Sequence, residues 1–266
     1  MSQYLLASHV YLCVTDDHVV LLDLKRDKYL GVSRGQMKAL ATCVKGWPAA
    51  EQQDAPTLTL PRETGEGKES LTPSPVSRGR AGVGADSFVS KMLDTGMLTG
   101  DASNGKEALP IAMPRPQITL TALDLAGAKD LFDMRPVITP GHIINFMRAT
   151  FVARAVLKWR PIAAVVAKVG ARKARRNAAR VLDFDVARKH VAAFVYLRPL
   201  LFTTKDKCLA DSLALVNFLA YYRVFPAWVF GVQTGPFAAH CWVQAGEVVF
   251  NDTPDHVRRY TPILAV

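Results

Sequence analysis

With 266 residues, 50% of them hydrophobic, the chain can build one large domain or two smaller ones with a proper core. Four cysteines without paired or CxxC spacing argue against a disulfide scaffold or a zinc site and fit a reducing, cytoplasmic setting. The net charge of +10 is unevenly placed: from Met134 to Leu182 there is no acidic residue, while Arg148, Arg154, Lys158, Lys168, Arg172, Lys173, Arg175 and Arg176 accumulate. Such a stripe is open to several readings: a solvated helix face, or a site for nucleic acid, a membrane surface, ATP or an acidic partner. The N-terminal MSQYLLASHVYLCV has no basic n-region and no small-residue cleavage site, so no signal peptide is expected. No apolar run is long enough to span a bilayer.

In chain order, Val10–Val14, His18–Leu24 and Lys28–Val32 read as three strands joined by turns at Asp16-Asp17 and Arg26-Asp27. Ser33 is a natural N-cap for a helix through Val44, with Met37, Leu40, Ala41 and Val44 on its apolar side. Trp47 to Ala85 is rich in Pro, Gly, Ser, Thr and charge and reads as a long, mostly disordered loop; a cover over a binding groove is the functional alternative. Asp86–Leu98 is the next predicted helix, with Gly96 near its end. These elements define a first domain, residues 1–105, with the loop at about 47–85.

The second domain, residues 110–266, opens with predicted helices at Asp130–Met134, Thr139–Val152 and Ala153–Ala167, broken by Pro136, Pro140 and Pro161. His142 and His190 read as surface or satisfied core positions rather than ligands. Cys208 stands where an apolar helix begins, with Leu209, Leu213, Val216, Leu219 and Ala220 at helical spacing. Three strands follow: Ala227–Val232, then Ala239–Gln244 carrying His240, then Glu247–Asn251 after a turn at Ala245-Gly246. There is no internal repeat, P-loop or dinucleotide fingerprint.

Cys208, His240 and Asp252 therefore form a candidate nucleophile, base and orienting carboxylate. A thiol at a helix N-terminus feels the positive end of the macrodipole, and Lys205 and Lys207 add charge; both favour the thiolate. Hairpin register decides what His240 meets. A three-residue loop, Ala245 to Glu247, sets it opposite Asp252, and a two-residue loop sets it opposite Asn251. Asp252 is favoured, because a carboxylate also stabilises an imidazolium. Cys241 alternates away from His240 and is expected in the core, while Trp242 shares the His240 face. The Cys208 N–H is the natural oxyanion donor, and Gln233, expected in a turn, is a weak second candidate.

At Cys208-Leu-Ala-Asp-Ser-Leu-Ala-Leu, Gly231-Val232, Pro236-Phe237-Ala-Ala-His240-Cys-Trp242-Val243 and Asn251-Asp252 the chain resembles the B proteins of lasso-peptide biosynthesis. Those maturation proteases belong to the transglutaminase-like cysteine protease superfamily and usually carry Ala where this chain has Cys241. The resemblance implies an endopeptidase that removes the leader from a ribosomally made precursor. A partner cyclase similar to asparagine synthetase then closes the macrolactam. It implies Cys208, His240 and Asp252 as catalytic residues and no cofactor or metal, with any ATP dependence entering through the cyclase. The three strands followed by helices resemble the precursor-recognition domain of modified-peptide pathways, similar to a small quinone-cofactor chaperone and to winged helices. There the leader adds as a strand on the sheet edge, which implies Tyr29, Leu30, Gly31 and Val32 and part of the helix after the linker as its surface.

The expected fold is α+β: a small winged-helix-like recognition domain, then a transglutaminase- or papain-like domain with helices packed on an antiparallel sheet. Two other functions remain open from the residues. An acyl-transferring enzyme would use the same nucleophile. A non-catalytic precursor-binding adaptor would need only the first domain. A nucleic-acid-binding regulator is disfavoured, because the N-terminal unit has no basic recognition helix.

Overall fold

The computed structural model describes residues 3–15, 18–48, 85–120, 136–176, 182–201 and 208–266. The chain forms two compact units, Met1–Asp23 with Lys28–Leu109 and Leu24–Asp27 with Pro110–Val266. Among the described residues no helix is long and apolar enough to cross a membrane.

In the first unit, strands β2 (Val10–Val14), β3 (Val19–Asp23) and β4 (Lys28–Val32) make an antiparallel meander in the order β2-β3-β4. The central β3 is buried along its whole length, which its unbroken Val-Val-Leu-Leu run requires. Ser33 caps helix α1 (Arg34–Cys43) in a capping box, its hydroxyl accepting from the Gln36 N–H while Gln36 Oε1 accepts from the Ser33 N–H. Helix α2 (Ala85–Asp94) ends earlier than its apolar pattern predicts. Gly96 adopts φ +68°, and the Gly96 and Met97 N–H groups bond back to the Leu93 and Met92 carbonyls, a Schellman stop. The residues so released form β5 (Leu98–Thr99), which pairs with β1 (Leu5–Ala7); β1 also pairs with β6 (Gly105–Lys106). These short strands lack the length to show alternation in the sequence. Leu6, Leu12, Leu21, Leu40 and Phe88 share one core with Trp47, which belongs to that core and not to the expected loop; the rest of that loop, 49–84, lies outside the described residues.

The second unit is built on a five-stranded sheet. Its strands are β7 (Ile118–Thr119), β8 (Ala227–Thr234), β9 (Phe237–Ala245), β10 (Val248–Val249) and β11 (Thr261–Ala265), in the order β11-β8-β9-β10-β7. Every pair is antiparallel except β10 with β7, so one edge departs from the expected all-antiparallel sheet. The predicted strand Glu247–Asn251 shrinks to β10.

Helix α3 (Pro140–Trp159) runs unbroken through the predicted boundary at Val152/Ala153, where no residue breaks a helix and Ala153 is buried. The break falls at Pro161, which caps α4 (Ile162–Arg175). Helix α5 (Phe184–Leu197) was not predicted; Asp183 caps it through the Asp185 and Val186 N–H groups. Helix α6 (Cys208–Tyr221) is apolar nearly all round and is sandwiched between α3 and β9. The expected helix Asp130–Met134 lies outside the described residues.

His142 and His190 hold the α3–α5 seam. His142 is buried with Nε2 3.1 Å from His190 Nδ1, and His190 stacks on Tyr222 at 3.6 Å between ring centroids. Burial, then the neighbouring His142 and Lys189, pushes His190 down to about 4, so it stays neutral in this half-buried seam.

Candidate active site

The first turn of α6 presents Cys208 beside β9. Its main chain is anchored: Ser212 Oγ donates to the Cys208 carbonyl at 2.6 Å and accepts from Trp228 Nε1 at 2.9 Å. Trp228 is fully buried, so the helix start is pinned to the sheet by a hydrogen bond shielded from water. The Cys208 thiol lies close enough to the His240 imidazole, the Cys241 thiol and the Cys241 backbone N–H for each to act on its ionisation. Lys205 and Lys207 lie outside the described residues.

The Cys241 contact corrects the sequence reading. Cys241 is buried, as alternation predicts, yet its thiol meets the Cys208 sulfur instead of merely filling the core. Alternation separates the directions of neighbouring side chains, but a sulfur lying beside a strand's own N–H is within reach of both.

His240 Nε2 is 2.6 Å from Asp252 Oδ2, which leaves Nδ1 as the nitrogen available to the sulfur. The register that brings them together is not the predicted one. Val248 pairs with Ala245 and Val249 with Gln244, so the hairpin loop is the two-residue Gly246-Glu247. Gly246 takes φ +56° at the first loop position, the requirement of a type II′ turn. The Phe250 N–H still donates to the Val243 carbonyl at 2.9 Å, and after it the chain leaves the ladder. Asn251 Oδ1 accepts from the Val243 N–H at 2.9 Å, and this side-chain bridge turns Asp252 towards His240.

Several residues of the site were not singled out beforehand. His256 Nδ1 is 2.9 Å from Asp252 Oδ2, so one carboxylate lies between two imidazoles. His256 sits on the one-turn helix α7 (Pro254–Val257), capped by Thr253, and the Thr253 N–H also donates to Asp252 at 2.7 Å. Tyr260 lies against His240, 5.0 Å between centroids. Behind the site, Asp211 is buried, pairs with Arg198 at 3.0 Å and accepts from Asn251 Nδ2 at 3.1 Å. Only an acid at i, i+3 from Cys208 signalled this bridge in the sequence. Trp242 is fully buried and stacks on His240 at 6.0 Å, serving as core and wall together. Gln233 lies in β8, not in a turn, and one of its two amide N–H groups donates to the Pro236 carbonyl.

Electrostatics follow from these contacts. The Cys241 thiol's hydrogen bond contributes most to lowering Cys208; burial opposes it, and His240 and the Cys241 amide bring the thiol down to about 4. Burial works against a charged His240, but bonds from Asp252 and Cys208, and their charge, raise it to about 9. Burial would raise Asp252, yet the bonds from His240, His256 and the Thr253 amide hold it at about 2. The state favoured near neutrality is thiolate, imidazolium and carboxylate in line. His240, Asp252 and His256 also offer one ligand atom each within 4.8 Å of one another, so a divalent cation would compete for the atoms that fix the imidazole.

Tyr29, Leu30, Gly31 and Val32 occupy β4, the edge of the β2-β3-β4 sheet, with Lys28 and Gly31 exposed and Val32 buried.

Residues 147–265 match the family model of the transglutaminase-like superfamily. No curated protein and no solved structure matches the chain. The matched stretch takes in most of α3, α4 to α6 and all the residues of the site, in a mixed helix-and-sheet domain.

Proposed function

We propose that the protein is a cysteine endopeptidase in which Cys208 is the nucleophile, His240 the proton carrier and Asp252 its orienting partner. The observation that carries this reading is the continuous contact Cys208–His240–Asp252, at a helix start in a transglutaminase-like domain. The Cys208 thiolate attacks the scissile carbonyl carbon. His240 gives its proton to the departing amine as the C–N bond breaks, leaving a thioester. His240 then takes a proton from a water that attacks the thioester. The thiolate leaves, and the product carboxylic acid loses its proton to solvent.

The substrate reading rests on the sequence blocks shared with lasso-peptide B proteins. It is the leader of a ribosomally made precursor, removed before a partner cyclase similar to asparagine synthetase closes the macrolactam. Residues 1–105 would be the recognition domain and 110–266 the peptidase. The leader adds along β4, the last strand of the described β2-β3-β4 order, at Tyr29, Leu30, Gly31 and Val32, where main-chain hydrogen bonds give affinity and alternate side chains specificity.

Mass spectrometry of a precursor peptide incubated with the protein, with and without the cyclase and ATP, tests this. One cut that leaves a free carboxylate, and is absent with Cys208→Ala, is expected. An amide or ester at the cut would assign acyl transfer instead. Intact peptide in every sample, despite leader binding, would leave a precursor-binding adaptor.

A further inference from the structure

Helix α3 is apolar on two opposite faces, and only one of them is packed. Phe146 meets Phe194 of α5, Asn145 donates to the Phe218 carbonyl of α6, and Ala149 and Ala153 are buried on the same side. Ile144, Met147 and Phe151, spaced three and four residues apart, form a ridge on the other side, where Ile144 is 68% and Phe151 72% exposed. Trp159, also 72% exposed, extends the ridge at the helix end. Single exposed apolar residues are ordinary, but large ones on successive turns of one helix face mark a contact surface.

The charges beside the ridge decide what it contacts. Arg148, Arg154 and Lys158 are exposed among these residues, and α3 holds no acidic residue. The Arg148 guanidinium lies 5.8 Å from the centre of the exposed Tyr221 ring, and Arg154 donates to the Leu201 carbonyl, next to the exposed Leu200. Further apolar side chains therefore adjoin the ridge at both arginines. A second copy of the chain fits poorly, because pairing two such ridges sets like charges against like. A ridge also offers a protein partner no pocket for an anchor side chain. An anionic bilayer suits all the parts: its acyl region takes the aliphatic and aromatic side chains, its interface takes Trp159, and its phosphates meet the cations.

We infer that the exposed face of α3 docks the protein on an anionic lipid surface. Ile144, Met147 and Phe151 enter below the headgroups, and Arg148, Arg154 and Lys158 lie at the phosphates. The attachment is peripheral and needs no spanning helix. It does not depend on the chemistry proposed for Cys208.

Trp159 is the reporter, because the other three tryptophans, Trp47, Trp228 and Trp242, are buried. The full chain is titrated with vesicles of phosphatidylcholine containing about 30% phosphatidylglycerol, and with phosphatidylcholine alone. Binding by flotation and a blue shift of Trp159 emission are expected with the anionic vesicles, at least about tenfold more strongly than with the neutral ones. Raising salt from about 0.1 to 0.5 M should weaken binding. Phe151→Glu should lower the partition coefficient about tenfold or more and Lys158→Gln about fivefold, with the rate of Cys208 alkylation unchanged in both. Should a variant fail to fold, quenching of wild-type Trp159 by lipids brominated on the acyl chain reads the same insertion. No flotation with anionic vesicles, equal binding to neutral ones, or binding that leaves Trp159 emission and quenching unmoved would overturn the assignment. A dimer that Phe151→Glu dissociates, without vesicle binding, would give the face to a second copy instead.

Discussion

At the scale of single residues, the unusual partner is Cys241. A second thiol that donates to the nucleophile does what a water or an amide does in other sites, but within a dry contact. Removing it should be felt on the acid side of the pH profile. The thiolate–imidazolium pair is intact above the Cys208 pKa of about 4 and below the His240 pKa of about 9, so kcat/KM should be bell-shaped between those limits. Cys241→Ala removes the largest stabiliser of the thiolate, so the acid limb should move towards neutrality while the basic limb moves much less. Cys241→Ser, which keeps a donor, should recover part of the shift. The rate of Cys208 alkylation by iodoacetamide against pH reads this directly, and an acid limb common to all three proteins would contradict the role given to Cys241.

His256 acts one step further out, as a positioning residue. Its hydrogen bond helps keep Asp252 ionised, and ionised Asp252 keeps His240 charged. His256→Ala should therefore lower kcat/KM several-fold and move the basic limb to lower pH. The imidazole is partly exposed, so the loss should stay well below that of Asp252→Ala. A pH profile unchanged in shape would make His256 merely structural. Neither residue was legible from the sequence. Cys241 was read by strand alternation alone, and His256 depends on where a one-turn helix lands after the ladder ends.

At the scale of elements, the glycine of β8 opposite His240 ties strand packing to the site. A Cβ at Gly231 would stand 2.7 and 2.8 Å from the Trp242 ring and 3.0 Å from Tyr260 Cβ. Trp242 and Tyr260 are the two rings that wall His240. Gly231→Ala should cost about 1–3 kcal/mol by overpacking, read as a lower midpoint in denaturant, and should cut kcat by displacing the imidazole. A stable variant with full activity would show that the rings shift freely. Long elements with a cap or a continuous apolar face, such as α1, α6 and β8, were legible because many residues vote for one period. Strands of two or three residues were not, since they exist only through partners elsewhere: β7 is recruited from before α3 and β11 from the C-terminus. The hairpin register failed for a similar reason. Gly246 fits either loop length, and the choice depends on Asn251 capping a strand N–H, a tertiary contact with no local signature.

At the scale of the whole molecule, the two units divide the proposed task, and kinetics should separate them. The first unit has two three-stranded sheets and buried residues such as Leu21 and Leu40, and the second has the five-stranded sheet with Trp228 and Trp242. If the leader is held at β4 and the chemistry is done at Cys208, a change at the sheet edge removes binding that ground state and transition state share. Leu30→Glu places a charge on a half-buried position of that edge strand. It should raise KM about tenfold or more for a precursor with its leader and leave kcat at saturation nearly unchanged. For a short peptide that spans only the cleavage site it should change neither constant. Cys208→Ala should show the reverse: no turnover, and leader affinity by fluorescence anisotropy equal to wild type. A fall in kcat with Leu30→Glu on the short peptide would mean that the first unit shapes the chemistry. An unchanged KM on the long one would place leader recognition away from β4.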